Sequence, residues 1–205
     1  MNPLGIFLSP RKEIAEAIDN PNMLMAIVLV LLPTLVGYMA LVNYGFEQNQ
    51  IIFVFSLLSE IAFWILTALI IALIVFLFKR ESLKQKFAGI LAALSLLKVV
   101  GLLLTLLIVS MPLALPPNLT NSFIQLEKGN LSPNEFVAQF NNVLASNPET
   151  INETALFVLL GFTVLLIIFS LWLYYEIISQ LMHSSIPKTV LAWLIILIIT
   201  AIFIY

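Results

Sequence analysis

The chain has 205 residues, of which 61% are hydrophobic and only 10% are charged, and its formal net charge is −2. Soluble domains carry about 25% charged residues, so this composition excludes a water-covered globule and indicates a surface that faces lipid. The small net charge excludes a large basic surface for nucleic acid, and we expect the lipid bilayer as the main partner. The lack of Cys and the single His183 argue against disulfides, thiol catalysis and histidine-built metal sites.

Five apolar segments are each long enough to cross a bilayer, which takes about 20 residues of helix. Because backbone polar groups in lipid must hydrogen-bond internally, we expect these segments to be helical. The predicted fold class is all-α, a polytopic integral membrane protein with a bundle of five transmembrane helices and short interfacial helices. The predicted spans are residues 21–44, 51–78, 87–110, 154–178 and 187–205.

Two short amphipathic segments flank these spans. The first begins with Ser9 at a predicted N-cap and Pro10 at the first helical position. The second begins at Ser132, which is predicted to form a capping box with Glu135. We predict that both helices lie in the membrane interface, and packing on the protein's own surface is the alternative.

Lys and Arg are distributed unevenly between the spans, and they favour the cytoplasmic side. Arg11 and Lys12 precede the first span and four basic residues occupy 79–86, whereas the loop 111–151 holds only Lys128. We therefore predict a multi-pass protein of the cell membrane with a cytoplasmic N-terminus and an extracytoplasmic C-terminus. The four predicted regions are a cytoplasmic interfacial helix in 1–20, spans one to three in 21–110, an extracytoplasmic loop with an amphipathic helix in 111–151, and spans four and five in 152–205.

Three glycosylation acceptor triplets occur at Asn118, Asn130 and Asn152. All three lie in or directly after the loop that the basic residues place outside. Their position supports the predicted topology and indicates an archaeal or eukaryotic source.

Two ionisable residues lie well inside predicted spans, Glu60 in the second and Lys98 in the third. The short turn between these spans makes them antiparallel neighbours, and one register places Glu60 opposite Lys98 and Ser56 opposite Thr105. A charge in mid-membrane costs between about 2.5 and 17 kcal/mol, so an ion pair is the simplest way to hold both groups. A protonated Glu60 is the other way.

The candidate intramembrane polar site contains seven residues. They are Glu60, Lys98, Ser56, Ser95, Thr67, Thr105 and Glu176. One interpretation is an ion or proton relay, and the favoured one is a structural ion pair that fixes the register of two helices. Glu176 is a weak second station for a relay, because it lies near a span end where it can reach water by itself.

No motif in the chain specifies a reaction. Phosphate-binding glycine loops and zinc-ligand patterns are missing from the sequence, so we predict no catalytic, cofactor-binding or metal-binding residues, no cofactor and no enzymatic activity. His183 is predicted to be a solvated turn residue. Aromatic residues near span ends are predicted to be interfacial anchors, namely Trp172, Tyr174, Tyr175 and Trp193.

Three stretches carry a resemblance to a known family. They are FLSPRKEIAEAIDNPNMLMAIVLVLLP, FWILTALIIALIVFLFKRESLKQKFAGILAALSLLKVVGLLL and LWLYYEIISQLMHSSIPKTVLAWLII. In their order and pattern the chain resembles the Yip-domain family, the Ypt/Rab-interacting type of membrane protein, and its prokaryotic or archaeal members in particular.

The resemblance implies a non-enzymatic integral membrane protein that organises membrane or binds a protein partner or a second copy of itself. The Asp-Leu-x-Gly-Pro element and the long acidic tail of the eukaryotic members are missing from this sequence, so Rab binding does not carry over. The alternative hypothesis is a small transporter or permease subunit that uses the pair of Glu60 and Lys98.

Overall fold

The computed structural model describes residues 2–43, 50–79, 86–110, 122, 125, 130–146, 153–183 and 185–204. In these residues a 3₁₀ helix, Pro3–Phe7, precedes seven α-helices, and the all-α prediction is confirmed for this part of the chain. The helices are α1 (Pro10–Asp19), α2 (Met23–Asn43), α3 (Gln50–Lys79), α4 (Phe87–Ser110), α5 (Pro133–Ser146), α6 (Glu153–Met182) and α7 (Ile186–Ile204).

Within the described part of the chain, four stretches of helix are long and apolar enough to cross a membrane. They are Met23–Asn43, Gln50–Phe78, Phe87–Ser110 and Phe157–Met182. Large apolar side chains on these helices are exposed, such as Leu73 at 58% and Leu165 at 63%. A surface of this kind is covered by lipid rather than by water, so the chain is a multi-pass membrane protein. The apolar part of α7, Ile186–Thr200, is shorter than the other four.

Helix α4 is the centre of the bundle, since it contacts α1, α2, α3 and α6. Its first half is buried continuously from Gly89 to Leu96. Small side chains in this stretch, including Ala92, Ala93 and Ser95, let neighbouring helices approach closely. Lys98 lies on this central helix, halfway along its 24 residues.

Helix α1 packs its apolar face on the protein itself. Ile14 and Ala17 of α1 and Ile6 of the 3₁₀ helix are completely buried, and α1 contacts α4 and α6. The approach to α4 is so close that a Cβ atom placed on Gly89 would lie 2.2 Å from the carbonyl oxygen of Ile18. Of the two arrangements that the sequence left open for this segment, packing on the protein's own surface is the one observed.

The two predicted helix starts differ in their hydrogen bonds. Ser9 occupies the N-cap position of α1, with a proline following it, but its side chain makes no capping hydrogen bond. The capping box of α5 is confirmed. The backbone N–H of Ser132 donates to Glu135 Oε2 at 2.8 Å, and the backbone N–H of Glu135 donates to Ser132 Oγ at 3.3 Å.

Two of the three glycosylation acceptors, Asn118 and Asn152, lie outside the described residues. Asn130 is described and is exposed, just before the start of α5. His183 is exposed, as predicted, and it adopts a positive φ of 43° between α6 and α7. Its backbone N–H donates to the carbonyl oxygen of Ser179 at 3.0 Å, so this residue forms the C-terminal cap of α6.

Candidate functional site

The ammonium of Lys98 on α4 donates a hydrogen bond to Oε1 of Glu60 on α3. The predicted pairing of these two residues is confirmed. The side chain of Lys98 is 24% exposed and that of Glu60 is 27% exposed, so most of each charged side chain is covered by the protein. Each charge compensates the other at a depth where an isolated charge costs several kcal/mol.

A cavity of about 450 Å³ lies beside this ion pair, between α2, α3 and α4. We call it the seam cavity. Its polar lining comes from all three helices and consists of Thr34, Tyr38, Ser56, Glu60, Lys98 and Thr105.

Ser56 and Thr105, which the sequence places opposite each other, both line the seam cavity. Each hydroxyl donates to its own helix, Ser56 to the carbonyl of Ile52 and Thr105 to that of Gly101, both at 3.0 Å. The predicted pairs of Glu60 with Lys98 and of Ser56 with Thr105 therefore line one cavity, and the ion pair is the contact in it that joins α3 to α4.

The contribution of α2 to the seam cavity was not predicted, because the sequence argument compared only the second and third spans. Thr34 and Tyr38 stand four residues apart and so share one face of α2, a spacing that could have revealed them. The ring centroid of Tyr38 lies 4.0 Å from the ring centroid of Phe53 on α3. Gly37 faces the methyl group of Thr105, and a Cβ there would be 3.5 Å from it.

A second cavity, of about 280 Å³, lies between α3, α4, α6 and α7. We call it the central cavity. Its polar lining consists of Thr67, Lys98, Ser170, Tyr174 and Thr200, and its apolar lining of Phe63, Trp64, Leu94, Leu97 and Leu104, with Gly101 between them. Lys98 and Gly101 line both cavities. A Cβ atom on Gly101 would meet nothing within 4 Å, so this glycine leaves open space where the two cavities come together.

Tyr174 lines the central cavity and is not the interfacial anchor that the sequence predicted. Its side chain is 8% exposed, and its hydroxyl makes no hydrogen bond within the described residues. The hydroxyl lies beside that of Thr200, which instead donates to the carbonyl of Ile196 at 2.8 Å. Apart from the neighbouring Thr200 hydroxyl, the Tyr174 hydroxyl is a buried polar group that a ligand in the cavity can reach.

Two other predicted site residues lie away from the ion pair's contacts. Thr67 donates to the carbonyl of Phe63 at 2.8 Å and lines the central cavity. Ser95 is completely buried, donates to the carbonyl of Ala92 at 2.7 Å and lines neither cavity. Neither residue lines the seam cavity.

Glu176 does not reach water by itself, contrary to the sequence-based expectation. Its side chain is 4% exposed and its Oε1 lies 3.2 Å from Nε of Arg11 on α1. The amide of Gln180 donates to the same oxygen at 3.2 Å. Because α1 covers the end of α6, the carboxylate needs these partners, and the contact ties the N-terminal helix to the bundle.

The described helices include four apolar spans, an N-terminal helix α1 that packs on the bundle, and an ion pair between two of the spans. These features define a polytopic α-helical membrane protein. The family model of the Yip1 domain matches residues 4–205, nearly the whole chain. The chain belongs to the Yip1 domain family, which confirms the resemblance at the level of the family. Neither the curated proteins nor the solved structures contain a match to it.

Proposed function

We propose that this protein is a non-enzymatic membrane scaffold of the Yip type, which organises the bilayer or binds a protein partner. The observation that carries the proposal is the Yip1 domain match over residues 4–205, which includes the N-terminal segment as well as the spans. In the structure this segment is part of the same packed unit, because the 3₁₀ helix and α1 both contact α4.

The docked α1 helix is a suitable surface for a partner. Its buried side holds Ile14 and Ala17, and its opposite side presents the exposed Lys12 and Asp19. Arg11 lies at the edge of the buried side, where it contacts Glu176 while its side chain is 75% exposed. A helix held by packing and by an ion pair presents these charges in a fixed arrangement, and fixed charges favour one complementary partner over others.

The proposed topology has five crossings, with α7 as the last one. Ala192 and Ile196 of α7 are completely buried and Ile198 is exposed, as expected for a helix with one face on the bundle and one on lipid. Helix α7 contacts α6 and α3. With the basic residues inside, the N-terminus is cytoplasmic, the C-terminus is extracytoplasmic, and Asn118, Asn130 and Asn152 are accessible for glycosylation in the cell membrane or an organelle membrane.

Within this scaffold the pair of Glu60 and Lys98 has a structural role, which is to fix how α3 and α4 lie against each other. Ser56 and Thr105 support it by lining the adjacent cavity. Nothing in the family match points to transport, so the transporter hypothesis is not proposed further.

The first measurement uses purified full-length protein reconstituted in liposomes. The second uses source membranes that contain the protein with a photo-crosslinking amino acid in place of Lys12. We expect vesicles of altered shape in electron cryomicroscopy, or a discrete crosslinked partner from the source membranes. A crosslink between two copies identifies homo-oligomerisation. The variant Gly89→Ala, which forces α1 away from α4, should lose the effect, and Gly161→Ala, where a Cβ meets nothing within 4 Å, should keep it. Spherical vesicles identical to empty ones, together with no crosslinked product, would contradict the proposal.

A further inference from the structure

The central cavity combines apolar walls with a volume of about 280 Å³, close to the size of small-ligand sites, which start at about 300 Å³. On one side of it stand the rings of Phe63 and Trp64, and on the other Leu94, Leu97 and Leu104 of α4. The indole N–H of Trp64 is already committed, since it donates to the carbonyl of Leu91 at 2.9 Å. These walls suit the apolar body of a molecule dissolved in the bilayer.

Two residues of the central cavity, Tyr174 and Lys98, have hydrogen-bond donors available to a ligand. The buried hydroxyl of Tyr174 makes no hydrogen bond within the described residues. The ammonium of Lys98 has three N–H donors, and Glu60 accepts from this group on the seam side. The hydroxyl of Thr67 already donates to its own helix. A ligand with an acceptor oxygen would therefore satisfy the Tyr174 hydroxyl and an N–H of Lys98 together.

The charge of the site favours a neutral ligand. Lys98 is the charged residue that lines the central cavity, and Glu60 already compensates it. An anion would bring a second negative charge close to Glu60, and a cation would face the ammonium without a counter-charge. Either would be expensive in a low-dielectric site.

We propose that the central cavity binds a neutral amphiphile from the membrane, with a carbonyl oxygen that accepts hydrogen bonds from Tyr174 and Lys98 and an apolar body that lies against Trp64. An ester lipid and a quinone with an alkyl tail both have this chemistry. Gly101 provides the space on the α4 side, since a Cβ there would meet nothing within 4 Å.

The test uses Trp64 as the reporter, in full-length protein in nanodiscs with Trp172 and Trp193 replaced by Phe, which leaves one of the three tryptophans. The first probe is decyl-benzoquinone and the second is a monoacylglycerol with a dibrominated chain, and both quench indole fluorescence. A brominated alkane without an oxygen acceptor is the control probe. Saturable quenching by the quinone alone assigns a quinone site, and saturable quenching by the glycerol ester assigns an ester-lipid site.

Two variants test the assignment. Tyr174→Phe keeps the ring and removes the donor, and should weaken binding of the saturating probe about 3- to 10-fold, as expected for one hydrogen bond. The matched control Tyr175→Phe removes a hydroxyl from a residue that does not line the cavity, and should leave the affinity unchanged. Gly101→Val fills the open space and should abolish saturation.

The proposal is overturned if quenching of Trp64 saturates with neither probe, as expected for the brominated alkane. It is equally overturned if Tyr174→Phe and Tyr175→Phe bind the saturating probe with the same affinity, or if Gly101→Val binds it as the parent protein does. Size-exclusion profiles and circular dichroism of each variant confirm that the comparison is between folded proteins.

Discussion

Lys98 and Glu60 form an ion pair between two neighbouring helices, with Lys98 halfway along α4 and Glu60 on α3. The ion pair joins the central helix α4 to α3, in addition to the hydrogen bond from the Trp64 indole to the carbonyl of Leu91. Its effect on stability follows from what happens when one partner is removed.

Replacing one partner should destabilise the protein more than replacing both. Glu60→Gln or Lys98→Met leaves a charge without its partner, and we expect a loss of about 1–3 kcal/mol, less than the roughly 3–5 kcal/mol of a fully buried pair because a quarter of each side chain is exposed. The double variant removes both charges and should recover part of the loss. The measurement is a double-mutant cycle of unfolding by SDS in mixed micelles. Additive losses would show that the two side chains do not interact.

Gly89→Ala should detach α1 from the bundle. A Cβ at this position would lie 2.2 Å from the backbone oxygen of Ile18, an atom that moves only with the whole helix. We expect a net loss of about 1–3 kcal/mol from overpacking, and faster amide exchange throughout residues 10–19. Gly161→Ala has the same intrinsic gain in helix propensity and no clash, so it should be neutral or stabilising. Equal behaviour of the two variants would contradict the close packing.

Arg11→Met should loosen the same helix through a different contact. The substitution keeps the aliphatic stem and leaves Glu176 with Gln180 as its remaining hydrogen-bond donor among the contacts described here. Because Arg11 is 75% exposed, we expect only about 1 kcal/mol, which corresponds to a roughly fivefold rise in amide exchange of α1. Lys12→Met removes the same charge from an exposed neighbour and serves as the control. An equal rise in both variants would show that the effect is net charge alone.

The stability of the first turn of α5 should depend on pH. Hydrogen bonds from the Ser132 side chain, and then from its backbone N–H, hold the pKa of Glu135 below its ordinary value of 4.5. Since the folded-state pKa is lowered, the stabilisation is fully present above the unfolded value and is lost as pH falls through the folded one. Carboxyl NMR titration should show the low pKa, and the amide protection factors at the start of α5, which are corrected for the intrinsic pH dependence of exchange, should fall as the carboxylate is protonated. Glu135→Gln should abolish the pH dependence, and an unshifted Glu135 would contradict the capping box.

The ion pair could be predicted because two charges in apolar segments, joined by a short turn, have few other ways to be compensated. The capping box of Ser132 and Glu135 could be predicted because it is a local pattern of four residues. Both predictions use interactions whose partners are set by chain distance or by charge.

The cavities could not be predicted, because their walls come from helices that are distant in the chain. Tyr174 and Thr200 look like ordinary span residues until α6 and α7 are placed against α3. Glu176 was expected to be solvated because its cover, α1, comes from the other end of the chain and leaves no signal near residue 176. Apolar helices carry little periodicity to show which face is buried, so such tertiary neighbours follow only from the packing.

The proposed topology has five membrane crossings, with the α1 end of the bundle in the cytoplasm. The sequence has no Cys, so single cysteines can be labelled without background. We expect cysteines at Lys12 and His183 to react with a membrane-impermeant maleimide only from the cytoplasmic side, and cysteines at Ser132 and Tyr205 only from the opposite side. Labelling of positions 132 and 183 from the same side would contradict the proposed orientation, and labelling of positions 183 and 205 from the same side would contradict the fifth crossing.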